Sequence, residues 1–343
     1  MMKIVVDAFG GDNAPLEIVE GVKLALDKIK DLEIVLCGKE EILKSMIKGY
    51  ESRIEIIAAD DVIKNEDHPT LAIRQKKESS LVKAYDALKE RDDIIGLVSA
   101  GSTGAVLAGA IMKIGRIKGI SRPALAPILP TKKNNDVIII DSGANVDCKP
   151  VNLLHFALMG SAYYSIIYNK ENPRVALLNN GSEEGKGNEL TKECLPLLKK
   201  APINFIGNKE GGDFMSGEVD VMVADGFAGN VLLKGTEGAV MAVMSLMKHS
   251  IKSHFWSKIG YLFMGKTFKE LKGRVDILNK HGGSPLLGCK KLVVKNHGSC
   301  KRHNICSSIE QTVYLDKNHL INKIEQALEK LNTELGEGTA EEA

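Results

Sequence analysis

The chain has 343 residues, 44% of them apolar and 26% charged, with a formal net charge of +2. That length supplies one large domain or two smaller ones with a substantial core, and the near-neutral balance excludes a broad attraction to nucleic acid. No apolar run is long enough to span a bilayer, and six cysteines without a secretory signal read as reduced thiols in a cytoplasmic protein.

In chain order, residues 3–26 read as a short apolar strand ending on Asp7, a turn with Gly10, Gly11 and Asp12, and a helix with Pro15 in its first turn. Segments 33–38 and 54–59 are further strands, separated by a helix at 40–48. A polar stretch then places Arg74, Lys76, Lys77, Ser79 and Ser80 close together. Residues 94–115 repeat the strand–turn–helix grammar, with Ser99, Ser102 and Thr103 among small residues in the turn. Residues 117–131 contain Pro123, Pro127 and Pro130 and read as loop.

The grammar returns at 137–160, with Asp141, Gly143, Asn145 and Asp147 in the turn, and at 175–194, where Asn179, Asn180, Gly181, Ser182 and Lys186 crowd one connection. After a strand with a glycine-rich end at 203–213, Val221, Met222 and Val223 run into a turn of Asp225, Gly226 and Gly229, and Asn230 leads into a helix. Residues 241–269 hold no Asp or Glu, while Lys248, Lys252, Lys258, Lys266 and Lys269 surround Trp256, the only tryptophan. Met244, Met247, Ile251, Phe255, Ile259 and Leu262 form a helical stripe there. A last strand, KLVVKN, precedes HGSCKRHNIC, a helix at 319–331 and an acidic tail. The expected organisation is one α/β domain over 1–333, with a helical segment at about 240–272 inside it and a disordered tail at 334–343.

Strands alternating with helices predict a mostly parallel sheet covered on both faces, with ligands bound at the carboxyl ends of the strands. Five polar, glycine-rich turns fall at such ends, and exposed helix N–H groups there favour a small anion. Any one of the turns taken alone is ordinary turn chemistry. No turn carries a dinucleotide or P-loop fingerprint, and no G-x-S-x-G elbow is present. Asp7, Asp141 and Asp225 can bind a divalent metal or cap helices, and capping is the safer reading. His297, Cys300, His303 and Cys306 recur at steps of three, but on a helix each step turns about 300°, so the four cannot meet one ion. The basic stripe either packs in the core or a dimer interface, or lies on an anionic membrane with Phe255, Trp256, Phe263 and Met264 inserted and Lys252 and Lys258 beside them.

The motifs DAFGGD, IRQKKESS, SAGSTGAVLAGA, GRIKGISRPALAPILPT, DSGANVDCKP, LLNNGSEEGKGN, NFIGNKEGGD, DVMVADGFAGNVLLK and GGSPLLG…VVKNHGS together resemble the PlsX family, acyl-acyl-carrier-protein:phosphate acyltransferases of bacterial phospholipid synthesis. The resemblance covers roughly residues 3–330. It implies a homodimer of Rossmann-like three-layer α/β/α fold with a protruding helical hairpin, no metal or organic cofactor, and peripheral membrane association. Phe9 stands where the family pattern has Met, Ser284 and Asn296 where it has Ala, and Cys300 where it has Ser; none of these removes a charged group.

The activity so implied passes a long-chain acyl group from the carrier protein's thioester to inorganic phosphate, which is itself the nucleophile. Lys186, Asn230 and His297 are the expected catalytic residues. Asp7, Gly10, Gly11, Ser102, Thr103, Asn145, Asn180, Ser182, Asp225 and Gly229 are expected to cradle phosphate and the acyl carbonyl. Lys76, Lys77, Arg116, Lys118 and Arg122 are candidates for the face that meets the acidic carrier protein. A phosphotransacetylase acting on coenzyme A, a nicotinamide-dependent dehydrogenase of similar architecture and a non-catalytic membrane adaptor are the rival readings.

Overall fold

Near-continuous apolar runs make the strands, as expected for strands buried on both faces. The computed structural model describes residues 2–133, 135–275 and 282–335, and only the backbone at 255, 258, 259, 262, 271, 272, 274, 275 and 335. The chain runs β1 (Met2–Asp7), α1 (Leu16–Lys28), β2 (Leu32–Gly38), α2 (Glu40–Met46), β3 (Ile54–Ala58), α3 (Pro69–Gln75), α4 (Ser80–Glu90), β4 (Ile94–Ser99) and α5 (Thr103–Gly109), which continues as a π-helical turn over Ala110–Ile114. It goes on through β5 (Ala124–Leu125), β6 (Ile128–Pro130), β7 (Asp136–Ile140), α6 (Pro150–Tyr168), β8 (Arg174–Asn179), α7 (Glu189–Lys200), β9 (Asn204–Glu210) and β10 (Val221–Val223). Then follow α8 (Gly226–Ser253), α9 (Phe255–Phe263), α10 (Gly265–Val275), β11 (Ser284–Leu287), β12 (Leu292–Lys295), α11 (Arg302–Lys317) and α12 (Leu320–Leu335).

The strands are mostly parallel and helix-covered, but they divide between two sheets among the described residues. One is seven-stranded, in the order β3-β2-β1-β4-β12-β11-β5; the other is five-stranded, in the order β6-β7-β10-β8-β9. Between the named strands, antiparallel pairing joins β11 to β12 and β5, and β6 to β7. The proline-rich stretch expected to be loop therefore holds two short, fully buried strands, one at the edge of each sheet. An edge strand leaves N–H positions unpaired, and there proline costs no ladder bond.

Side chains of α1 and α11 cover one face of the larger sheet and those of α3, α4 and α5 the other. The core of the smaller sheet is built on α6, whose side chains are apolar nearly all round, as a helix buried on every side must be. Gly160 lets α6 lie flush on Val221 and Ile140, and Pro150 and the left-handed Asn169 bound the helix. The last helix, α12, packs its Leu320, Ile324, Leu328 and Leu331 into this same core, so the chain that leaves the larger sheet through α11 ends against the smaller one. It reaches Leu335, two residues into the stretch expected to be tail; residues 336–343 lie outside the described residues. The helical segment expected at about 240–272 is longer: α8 alone has 28 residues, buries only Gly226 and Gly229, and leaves Met241 and Leu246 about 70% exposed, at 71% and 68%.

Candidate active site

Each half of the molecule ends its strands on a set of turns held by one buried aspartate. In the larger sheet, Asp7 accepts from Ser80 Oγ at 2.6 Å and from Ser99 Oγ at 2.8 Å, and Gly101 N in turn donates to Ser99 Oγ at 3.0 Å. Burial pushes the Asp7 carboxyl up, and the two hydroxyls with the N–H groups of Phe9 and Gly10 oppose that rise. A Cβ on Gly10 would stand 2.3 Å from Asp7 Oδ2 and 2.8 Å from Gly101 N, so only glycine lets the β1 and β4 turns close on each other. Asp12 N donates to Gly298 O at 2.8 Å, and Asn13 Nδ2 to Ser299 O and Cys300 O. The turns after β1, β4 and β12 are thereby stitched side by side. Behind them Glu17 pairs with Arg302, which holds its carboxyl down at about 2 and locks α1 to α11. Phe9, one of the departures from the family pattern, lays its ring over Gly38.

In the smaller sheet the organiser is Asp141, fully buried at the end of β7. It accepts from Leu125 N, Gly143 N, Ala144 N, Asn145 N and Asn145 Nδ2 at 2.7–3.2 Å. Leu125 belongs to the larger sheet, so this carboxyl also fastens the two halves. The start of α8 lies on the same turn: Gly226 N donates to Asn145 O at 2.7 Å, and a Cβ on Gly229 would come within 1.9 Å of Asp141 O. Asp225 caps α8 by accepting from Ala228 N at 2.8 Å. Asn230 is exposed just beyond, its amide beside Gly143, where a Cβ would meet its Cγ at 3.4 Å.

The turn after β8 is shaped by Asn179, whose Nδ2 donates to Lys186 O at 3.2 Å, and by Asn208, whose Nδ2 donates to Glu183 O at 3.1 Å. Those bonds fold 180–187 back on itself and leave Asn180, Ser182 and Lys186 exposed. A Cβ on Gly211, just after β9, would touch Leu232 of α8 at 3.4 Å, so that turn also borders the helix.

Of the expected cradle, Asp7, Asn145 and Asp225 have carboxyl or amide groups engaged in holding turns, and Gly10 and Gly229 serve close packing. Ser102, Thr103, Asn180, Ser182, Lys186, Asn230 and His297 keep side chains at least partly exposed at strand ends. His297 Nδ1 lies 2.8 Å from Ser299 Oγ. The helix starts only at Arg302, so His297 and Cys300 sit in the preceding turn, and no group of three His, Cys, Asp or Glu is placed for a metal among the described residues.

Of the expected carrier-protein contacts, Lys76 is tied to Asp67 at 2.6 Å and to Val62 O, Arg116 is exposed and donates to Ser121 O, and Lys77, Lys118 and Arg122 are exposed. Ser121 is itself fixed by His155 Nδ1, and burial pushes His155 down to about 4, so its neutral ring accepts from Ser121 N. On the helical arm Lys252 is exposed and Trp256 is 79% exposed, while the side chains of Phe255 and Lys258 lie outside the described residues.

Three residues that the motifs do not single out as functional are coupled electrostatically near these turns: Asp12, Lys234 and Lys295. Lys295 ends β12 and is only 9% exposed, and Lys234 lies one helical turn beyond Asn230 on α8. Asp12 favours and Lys234 disfavours the charge of Lys295, so the β1 turn and α8 both come within electrostatic reach of it. The available signal was a lysine closing an otherwise apolar run, VVK, at a strand's carboxyl end.

A family model described as "fatty acid synthesis protein" matches residues 2–323. The chain is 46% identical over 335 residues to the phosphate acyltransferase of Clostridium tetani, covering 97% of this chain and 99% of that one. It is 45% identical over 336 residues to the phosphate acyltransferase of Dictyoglomus turgidum, covering 96% and 98%. Among solved structures it resembles a phosphotransacetylase from Streptococcus pyogenes (TM-score 0.57, 17% identity, 94% of each chain) and a branched-chain phosphotransacylase from Enterococcus faecalis (TM-score 0.58, 13% identity, 92% and 98%). A putative 4-hydroxythreonine-4-phosphate dehydrogenase from Salmonella typhimurium shares the fold as well (TM-score 0.52, 11% identity, 92% and 99%). At those identities the structural likenesses speak for the fold alone.

Proposed function

The chain belongs to the phosphate acyltransferase family, and from that premise we propose that it takes a long-chain acyl group from an acyl carrier protein and works as a homodimer at the membrane surface. It is an acyltransferase that passes an acyl group to phosphate for phospholipid synthesis. In the reaction a phosphate oxygen attacks the thioester carbonyl, a C–O bond forms, and a tetrahedral oxyanion collapses with loss of the thiolate. The proton given up by phosphate ends on that sulfur.

Such a reaction needs no covalent group from the protein, only a bound anion, a positioned carbonyl and donors aimed at the oxyanion. The observation that carries the reading is the junction at Asp141, where the β7 turn takes Leu125 N of the larger sheet and seats the start of α8, with exposed donors left over on Asn230 and on the turn after β8. Lys186, Asn180 and Ser182 would hold phosphate, Asn230 would donate to the oxyanion, and Ser102 and Thr103 would close the cradle from the larger sheet. His297 would serve the departing thiolate as proton donor or orienting donor. Asp7, Asp141 and Asp225 would act through the turns they hold.

Incubation of the enzyme with the long-chain acyl thioester of acyl-carrier protein, phosphate and hydroxylamine is expected to yield acyl hydroxamate in amounts that depend on both enzyme and phosphate. Product from acyl-coenzyme A alone would favour the phosphotransacylase reading, and none from either donor would sink both.

The arm supports the dimer and membrane parts of the reading. Phe227, Val231, Met241, Val243 and Leu246 expose apolar surface along α8, and Trp256, Phe263 and Met264 do so near its tip. No helix among the described residues is long and apolar enough to cross a membrane, so contact would be lateral, with the exposed Lys252 meeting anionic headgroups. Changing Trp256 and Phe263 to Ser should cut the fraction floating with anionic vesicles by about 10²–10⁴-fold in partition constant, from about 1.5–3 kcal/mol per large apolar side chain. An unchanged fraction would assign these side chains to protein packing instead.

A further inference from the structure

We propose that Lys295 is a second anion anchor of this site, a buried ammonium at the end of β12 that binds the phosphate oxygens opposite Asn230 and Lys234. The proposal rests on the phosphate-transfer reading and adds a residue to it. Lys295 is 9% exposed, and among the described residues it has no carboxylate within ion-pair distance; its ammonium donates only to the carbonyl of Asn296. A lysine buried to that degree is ordinarily paired, because an uncompensated charge in a protein interior is strongly penalised.

The side chains that act on it come from three separate elements: Cys300 in the turn before α11, Asp12 in the β1–α1 turn, and Lys234 on α8. Burial, reinforced by the like charge of Lys234, pulls Lys295 down to about 8 against the opposing pull of Cys300 and Asp12. Cys300 is no counter-ion, since burial holds its thiol up at about 11. Lys234 lies within electrostatic reach of Lys295, and Asp12, the one carboxylate among the described residues that acts on it, is itself exposed, so the surroundings are ones that an anion completes. A dianionic phosphate supplies the missing negative charge and accepts the hydrogen bonds of an ammonium left with one carbonyl partner.

The position agrees with the chemistry. Lys295 pairs in register with Ser99, whose hydroxyl belongs to the Asp7 network, so its backbone is fixed by the same β4 turn that carries Ser102 and Thr103. Lys234 is four residues beyond Asn230 and shares its face of α8. An anion held between Lys295 and Lys234 therefore lies against the helical face that presents the proposed oxyanion donor.

The test is thermal melting of wild-type protein, Lys295→Met and Lys295→Arg, each with and without inorganic phosphate, followed by phosphate titration of acyl hydroxamate formation. Lys295→Met is expected to melt no lower than wild type without phosphate, because a buried unpaired charge has been removed. It should show little of the phosphate-dependent rise seen in wild type, which Lys295→Arg should retain. In turnover, Lys295→Met should raise the KM for phosphate about ten- to hundred-fold, with a smaller change in kcat. Equal phosphate-dependent rises in wild type and Lys295→Met, no rise in wild type, or a Lys295→Met protein that melts well below wild type would each overturn the assignment. The melting series reads phosphate binding without an acyl donor. Loss of the transfer reading would therefore show as absent hydroxamate, and loss of the Lys295 assignment as an unaltered phosphate response.

Discussion

Asn230→Ala is expected to lower kcat for acyl-phosphate formation by about 10²–10³-fold, the usual loss when one oxyanion donor is removed. Stability should stay within about 0.5 kcal/mol of wild type, because the side chain is exposed and none of the turns described above depends on its amide. The donor's position is set from beneath. Gly229 seats α8 directly on the Asp141 carbonyl, Asp225 caps the helix, and Gly143 leaves room for the amide beside the β7 turn. Asn230→Asp is the sharper control, since it preserves shape but replaces a donor by a charged acceptor facing the oxyanion. It should be at least as impaired as Asn230→Ala. Lys186→Ala should differ in kind, raising the KM for phosphate about ten- to hundred-fold through loss of a charge-assisted contact. Steady-state kinetics with phosphate varied separates the two effects, and near-wild-type turnover in Asn230→Ala would remove that side chain from the mechanism.

The largest expected loss of stability is at Asp141. Its carboxyl accepts five hydrogen bonds at 2.7–3.2 Å, four of them from backbone N–H groups and one from Asn145 Nδ2. Asp141→Ala leaves those donors unsatisfied in the interior, at about 1–3 kcal/mol for each that neither water nor relaxation rescues, so a total of at least about 3–5 kcal/mol is expected. The damage should not stay local. Leu125 lies in the larger sheet and Asn145 carries the carbonyl that receives Gly226 N, so the variant loosens the seam between the sheets and the seat of α8 together. Thermal or denaturant unfolding measures it; a loss below about 1 kcal/mol would mean that this network does not hold the seam. Asp141→Asn should recover only part of the loss, since its amide presents hydrogens where the carboxylate met N–H groups.

How far the site could be read from sequence depends on the kind of residue. Glycine-rich turns after apolar runs are local features, and 7–12, 99–103, 141–147, 179–187 and 225–230 all fall after strands as the pattern predicts. What each side chain does there is not local. Asp7 and Asn145 carry the same polar atoms as a ligand-binding residue would, and the partners that engage them include Ser80 and Ser99, 73 and 92 positions from Asp7, and Pro123, 22 from Asn145. The proline-rich 117–131 carries turn chemistry that outweighs short strands of two and three residues, so β5 and β6 become visible only once their partners are in place. Lys295 is not legible in the motifs because its significance is burial without a counter-charge, a property of its neighbours.

The sequence by itself determined the α/β class, the strand-end placement of the polar turns, the helical stretch free of acids at 241–269 and, through long ordered motifs, the family. Periodicity and turn chemistry are written within a few residues of one another, and a motif survives without its surroundings. Tertiary structure decided that the strands form two sheets, that Asp7 and Asp141 each organise one set of turns, and that Lys234 on α8 comes within electrostatic reach of Lys295 on β12. Those facts depend on hydrogen bonds and charges between segments far apart in the chain, where position after folding, and not residue type, sets the energy of each group.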